Sequence, residues 1–229
     1  MTKRIVVAID GPGGAGKSTI ARRVAEKLGC IYIDTGAMYR AVALWSTRLG
    51  IGFADMLRLE QLAAAADIRF ETGSSRLYLN GEDVSDAIRA PEMSQAASKV
   101  SSVPGVRRAL VEKQRAMGAE SSVVMEGRDI GTVVFPDAQV KIFLDADPRV
   151  RAERRVLELR QKGLVADVDE MAREMRERDE RDSQRADSPL MQAPDAVYLD
   201  STLLDLDQVE QAILKLIRDR TSNGKEFSS

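Results

Sequence analysis

The sequence predicts an α/β fold: a parallel β-sheet flanked by helices, with a small antiparallel β insertion and a short helical lid. Three observations lead there. Ile5-Val6-Val7-Ala8-Ile9 is a β-branched run suited to a strand buried on both faces, and an apolar stripe at Ile20, Val24 and Leu28 follows it with helical spacing. Further apolar runs at Ile31-Tyr32-Ile33, Ser122-Val123-Val124-Met125, Val140–Leu144 and Ala196–Asp200 are separated by helical patterns, as in successive βα units. Only Ile68-Arg69-Phe70-Glu71 and Arg76-Leu77-Tyr78-Leu79 alternate as half-buried strands, with turn signals at Gly73-Ser74-Ser75 and Asn80-Gly81.

Between the first strand and the first helix lies Gly11-Pro12-Gly13-Gly14-Ala15-Gly16-Lys17-Ser18-Thr19, which satisfies GxxxxGK[ST]. Glycines let the backbone close around phosphate oxygens, the N–H groups point inward as a nest, and the helix adds its positive end. In such a loop Lys17 reaches the β- and γ-oxygens and the Ser18 hydroxyl can ligate Mg²⁺, partly through water. The surroundings are those of a P-loop NTPase-type sheet, so residues 11–19 are expected to bind a nucleoside triphosphate.

At 229 residues and 44% apolar content the chain is expected to form one domain with insertions. A net charge of −2 argues against a general nucleic-acid or membrane-surface binder. With no histidine and one cysteine, Cys30, the composition excludes His-ligated metals, Ser-His-Asp or Cys-His triads, zinc clusters and internal disulfides. Cys30 reads as a small buried hydrophobe beside a strand. Met-Thr-Lys-Arg leads straight into the first strand without the pattern of a targeting peptide, and no apolar run approaches a membrane span, so a soluble cytoplasmic protein is expected.

Taken in order, Gly29 suits the stop after the first helix, and a helix is expected from about Met38 to Leu49 with Arg40 in its first turn. A cation there is unfavourable unless an anion accompanies it, and a solvated surface arginine is the alternative. A helix over about Met56–Ala66 precedes the antiparallel strands. Two helices follow from Pro91, the second opening at Pro104 and carrying Arg107, Arg108, Lys113 and Arg115. The strand ending at Met125 runs into Glu126-Gly127-Arg128-Asp129-Ile130-Gly131, which brings an arginine and a carboxylate to the sheet edge used by ligands; Arg128 and Asp129 could instead pair with each other. Asp147 and Pro148 open a helix placing Arg151, Arg154 and Arg155 on one face. Residues 149–185 hold 11 basic and 10 acidic side chains, and 10 of the 11 are Arg, the better fork for phosphate. A salt-bridged exposed helix pair would use the same residues. Gly163 breaks this zone into two helices, as in a mobile flap, and Arg178, Asp182 and Arg185 share a face of the second. Leu206–Ile217 reads as a closing helix, followed by a polar tail over 221–229.

A glycine loop near the N-terminus, a small β insertion and an arginine-rich flap together resemble the nucleoside monophosphate kinases. Asp34-Thr35-Gly36-Ala37-Met38-Tyr39-Arg40, Asn80-Gly81-Glu82-Asp83-Val84, the stretch from Gly127 to Ala138 and Glu177-Arg178-Asp179-Glu180-Arg181-Asp182 are similar to the bacterial cytidylate kinases in particular, over about Ile5 to Ile217. The resemblance implies a single kinase domain with core segments at about 1–40, 104–150 and 186–220, an NMP-binding insertion at about 41–103 and a lid at about 151–185. It implies Arg40, Arg128 and Arg185 on the acceptor phosphate, Ser98, Arg107 and Asp129 on the cytosine, and Arg178 and Asp182 on the ribose. Thr35 stands where many members have serine and keeps the hydroxyl. Lys17, Arg128 and the flap arginines Arg151, Arg154 and Arg155 would act at the reacting phosphates. The implied reaction takes ATP and CMP or dCMP, with Mg²⁺, to ADP and CDP or dCDP in pyrimidine nucleotide metabolism, carried out by a monomer without nucleic-acid or membrane partners. A kinase for a non-nucleotide metabolite would share the glycine loop without an arginine set for a second phosphate. A GTP-dependent switch would normally carry Asn-Lys-x-Asp, which this sequence lacks.

Overall fold

The first apolar run forms strand β1 (Val6–Asp10), which delivers the glycine loop to the N-terminus of helix α1 (Lys17–Leu28) in the computed structural model, where residues 4–71, 73–74 and 76–222 are described. The described chain gathers into two compact units, one within residues 25–125 with Arg4, the other of residues 5–24 and 126–222.

In the second of these, β1, β7 (Val140–Asp145) and β8 (Val197–Asp200) lie side by side and parallel. Val7 registers with Val140 and Ile142 with Val197, and Val7, Ala8, Ile9, Ile142 and Leu144 are all almost completely buried, as a strand covered on both faces requires. Asp147 caps α6 (Pro148–Gln161) by accepting from the Arg149 amide at 2.8 Å, with Pro148 at the first helical position. The break at Gly163 (φ +76) separates α6 from α7 (Val168–Ser183), and Asp167 caps α7 through the Asp169 and Glu170 amides. Arg185 lies two residues beyond the end of α7 rather than on its face. Helix α8 (Leu206–Ser222) closes this unit with Val209, Ile213 and Ile217 inward. The tail expected over 221–229 is helical to Ser222, and the remainder falls outside the described residues.

In the other unit, β2 (Ile31–Asp34) neighbours β6 (Val123–Gly127) and runs without a loop into α2 (Thr35–Arg48). The helix begins three residues earlier than the sequence suggested because Asp34 caps it, accepting from the Ala37 amide at 2.9 Å; Arg40 therefore sits in the second turn. Helix α3 (Met56–Ala65) is capped by Asp55. The insertion is a three-stranded antiparallel meander, β3 (Ile68–Phe70), β4 (Leu77–Leu79) and β5 (Glu82–Asp83). Asn80 and Gly81, both at positive φ (52° and 85°), make its two-residue turn. Of the other turn signal, Gly73 and Ser74 form a turn and Ser75 falls outside the described residues. Helices α4 (Pro91–Val100) and α5 (Pro104–Glu120) both open on proline. Leu59, Leu77, Leu110 and Met125 are almost wholly buried in this unit.

Two local expectations change. Cys30 is half-buried and lies just outside β2, with its amide closing the end of α1 on the Ala25 carbonyl; burial still pushes its thiol up. β6 runs on to Gly127 rather than ending at Met125, so Glu126 belongs to the strand and is buried, and the chain then forms a π-turn over Ile130–Val134. No described helix is long and apolar enough to cross a membrane.

Candidate active site

Gly11 carries the chain from β1 into the glycine loop at φ +145, and a Cβ there would fall 1.9 Å from the Leu144 carbonyl oxygen, so only glycine lets the loop start this close to β7. Gly14 (φ +74) is crowded by the other side of the same unit: its Cβ would meet Met175 Cε at 2.8 Å and the Arg151 carbonyl oxygen at 2.9 Å. Helices α6 and α7 thus lie against the loop.

Lys17 is buried, and its Nζ donates to the Pro12 carbonyl at 2.6 Å, which bends the ammonium back over the loop it serves. Burial first, then the nearby Arg128 and Arg178, push its pKa down to about 7 against the pull of Glu126 and Asp10. A lysine so destabilised as a cation gains most from an arriving polyphosphate. Ser18 and Thr19 follow, exposed in the first turn of α1. Among the described residues no cluster of three or more acidic, Cys or His groups could hold a metal. One accessible hydroxyl at a helix N-terminus fits Mg²⁺, which keeps waters and takes most of its ligands from bound phosphates.

Arg128, just past β6, does not pair with its neighbour. Its Nε donates to Asp182 Oδ2 on α7 at 3.1 Å and its Nη1 to the Gly127 carbonyl at 3.2 Å, while its Nη2 lies 3.8 Å from where a Cβ on Gly13 would be. Asp182 is 1% exposed and also pairs with Arg185. Burial would raise its carboxyl, but the surrounding Arg128, Arg185 and Arg178 prevail and hold it below the usual carboxylate range. Asp129 is buried beside this group.

The flap arginines divide. Arg151 is buried and satisfied by protein: it donates to the Gly13 carbonyl at 3.0 Å, the Ala146 carbonyl at 3.1 Å and Asp179 at 2.6 Å. Arg154 donates to the Ser201 hydroxyl at 3.0 Å and its carbonyl at 2.7 Å. Arg155, one-third exposed, makes an i,i+3 pair with Glu158 at 2.9 Å. The shared face therefore spans three different environments.

Thr35, Arg40, Ser98 and Arg107 belong to the other unit. Arg40 Nη2 pairs with Asp34 at 2.8 Å, the carboxylate that also caps α2, and its Nε is buried without a partner, an N–H suited to an incoming oxyanion. Thr35 is buried in the first turn of α2. Arg107 is buried with its guanidinium 5.7 Å from the centroid of the Tyr39 ring and an Nη1 bond of 3.3 Å to the Ser101 carbonyl. Ser101 in turn donates from Oγ to the Ser98 carbonyl at 2.9 Å, so Ser98 and Arg107 share one short network. Sequence reasoning missed Asp34, Tyr39, Asp179, Ser201 and Asp10. Asp34 alone carried a local signal, an Asp immediately before a helical pattern.

The family model described as cytidylate kinase matches residues 7–219. A cytidylate kinase of Solibacter usitatus (strain Ellin6076) is 63% identical over 228 residues, covering 99% of this chain and 97% of that protein. The cytidylate kinase of Syntrophotalea carbinolica (strain DSM 2380 / NBRC 103641 / GraBd1) is 49% identical over 222 residues, covering 96% and 94%. Among solved structures, an uncharacterized protein from Eubacterium ventriosum ATCC 27560 superposes with a TM-score of 0.52 at 15% identity, covering 95% of this chain and 99% of that one, a likeness of fold alone. With a family model spanning nearly all of it and relatives this similar over their full length, the chain belongs to the cytidylate kinase family.

Proposed function

We propose that the chain transfers the γ-phosphoryl group of ATP to CMP or dCMP, releasing ADP and CDP or dCDP. The structural observation that carries this is Arg128, an acceptor-side arginine whose Nη2 stands beside Gly13 of the donor loop. An oxygen of the acceptor monophosphate attacks Pγ, the bond from Pγ to the bridging β-oxygen breaks, and ADP leaves. A phosphate monoester with second pKa near 6 is already largely dianionic at pH 7. No general base is needed, in keeping with a chain without histidine.

Residues 11–19 bind the triphosphate of ATP through backbone N–H groups, and Lys17 leaves the Pro12 carbonyl for the β- and γ-oxygens. Ser18 Oγ would help to hold Mg²⁺, which when bound would supply neutralisation of charge on the transferred group. Arg128 and Arg185 bind the acceptor phosphate, and Arg40 is assigned to it by its unpartnered Nε. Asp182 and Arg178 take the ribose. Arg154 and Arg155 turn to the transferring phosphoryl group, while Arg151 holds the loop through the Gly13 carbonyl. Asp129 accepts from the N4 amine of cytosine, which uracil lacks, a contact worth about 1–3 kcal/mol of discrimination. Thr35, Ser98 and Arg107 are the further residues assigned to the nucleotide.

A coupled ADP-release assay over CMP, dCMP, UMP, AMP and small alcohols tests this reading. Turnover is expected with CMP and dCMP well above the rest. Comparable turnover with an alcohol, or ATP hydrolysis as fast without CMP as with it, overturns it.

A further inference from the structure

Asp10 ends β1 and is 5% exposed, and both oxygens of its carboxylate serve backbone 120 positions away: Oδ1 accepts from the Ile130 amide at 2.8 Å and Oδ2 from the Gly131 amide at 2.7 Å. These are the first N–H groups of the π-turn Ile130–Val134, of the kind that a turn or helix cannot satisfy from within. The residue in the cap position is Asp129, an acid of the type that ordinarily folds back onto such amides. Its side chain makes no capping bond. Asp10 takes that place from across the unit.

The same two bonds fix the backbone that carries Arg128 and Asp129 to the root of the glycine loop, because the next residue after Asp10 is Gly11. A Cβ on Gly131 would stand 3.4 Å from Asp10 Oδ2 and 3.1 Å from Lys141 Cδ, so the contact is close-packed. Burying a carboxylate this deeply is unfavourable unless its hydrogen bonds are well made. Asp10 faces the charges of Lys17 and Asp129, of opposite effect on it.

We propose that Asp10 is a positioning residue for base selection: by occupying the Ile130 and Gly131 amides it keeps the Asp129 carboxylate off its own turn and turned to the exocyclic amine of cytosine. This rests on the reading of Asp129 given under the proposed function.

Steady-state kinetics with CMP and UMP on Asp10→Ala, Asp129→Ala and the double variant test it. Asp10→Ala is expected to lower the CMP-to-UMP ratio of kcat/KM by about tenfold, with the KM for ATP little changed. The double variant is expected to show the same ratio as Asp129→Ala alone, since both act on one contact. Asp10→Asn keeps the side-chain shape and one acceptor; it is expected to show the same loss in smaller measure, and carries the test if Asp10→Ala does not fold. A lowered ratio in Asp129→Ala with an unchanged ratio in the Asp10 variant, or additive losses in the double variant, overturns the positioning role alone. An unchanged ratio in Asp129→Ala overturns the base-reader reading and this inference with it.

Discussion

Arg128 and Asp182, 54 positions apart in the chain, meet at 3.1 Å, and the carboxylate that receives Arg128 also receives Arg185. A single buried anion thus keeps several guanidinium groups close together before any phosphate arrives. Without it their mutual repulsion would scatter them.

Asp182→Asn should therefore destabilise the unliganded protein by about 3 kcal/mol, the usual result of removing one partner from a buried ion pair. CMP should recover more melting temperature in this variant than in the wild type, because the nucleotide's phosphate replaces the lost anion. Thermal denaturation with and without CMP measures both. Equal shifts in the two proteins would mean that Asp182 does not neutralise the arginines around it.

Lys17 and Asp10 give the unliganded protein an unusual pH dependence. Burial raises the Asp10 carboxyl to about 7 from 3.8, against the Ile130 and Gly131 amides that lower it; the folded state then holds the extra proton between these values, and stability falls as pH rises through them. Burial lowers Lys17 to about 7 from 10.5, so there the unfolded state holds the extra proton and stability climbs as pH rises above 7. These two groups place a stability minimum near neutrality. On the proposed reading of Lys17, ATP should restore its charge, so binding at pH 8 should take up protons, visible as a buffer-dependent enthalpy in calorimetry and reduced in Lys17→Gln.

Arg151 and Arg155 should separate by phenotype. Arg151→Ala removes a buried fork from Gly13, Ala146 and Asp179, and is expected to cost about 2–3 kcal/mol of stability and raise the KM for ATP. Arg155→Ala breaks an exposed pair and should move stability by less than about 0.5 kcal/mol while lowering kcat. Chemical denaturation and initial rates distinguish them.

Among the loop glycines, Gly11→Ala should be much the more damaging, since its Cβ has only the Leu144 carbonyl to go into. Gly16→Ala meets nothing within 4 Å and should cost only the strain of φ +91, about 1–2 kcal/mol. Urea denaturation of the two variants checks the order.

What the sequence made legible is what chemistry at short range decides. The glycine loop, the Asp147-Pro148 helix start, the Asn80-Gly81 turn and the Gly163 break each depend on residues within a few positions, and all stand where the pattern put them. The start of α2 did not, because Asp34 served as both strand end and cap. Partner choice across the fold was not legible at all. Nothing local tells Arg128 to prefer Asp182 over adjacent Asp129, or tells Asp10 to cap a turn 120 positions later. Nor could helical spacing reveal that Arg151 is buried and satisfied while Arg155, on the same face, is not.

Whether the arginine beside the glycine loop grips the acceptor phosphate is decided by comparing kcat/KM for CMP in Arg128→Ala and Arg108→Ala. Arg108 is an exposed residue of α5 paired loosely with Glu60 at 3.4 Å. A fall on the order of 100-fold or more is predicted for Arg128→Ala, with Arg108→Ala close to wild type. Equal effects from the two substitutions would contradict the account.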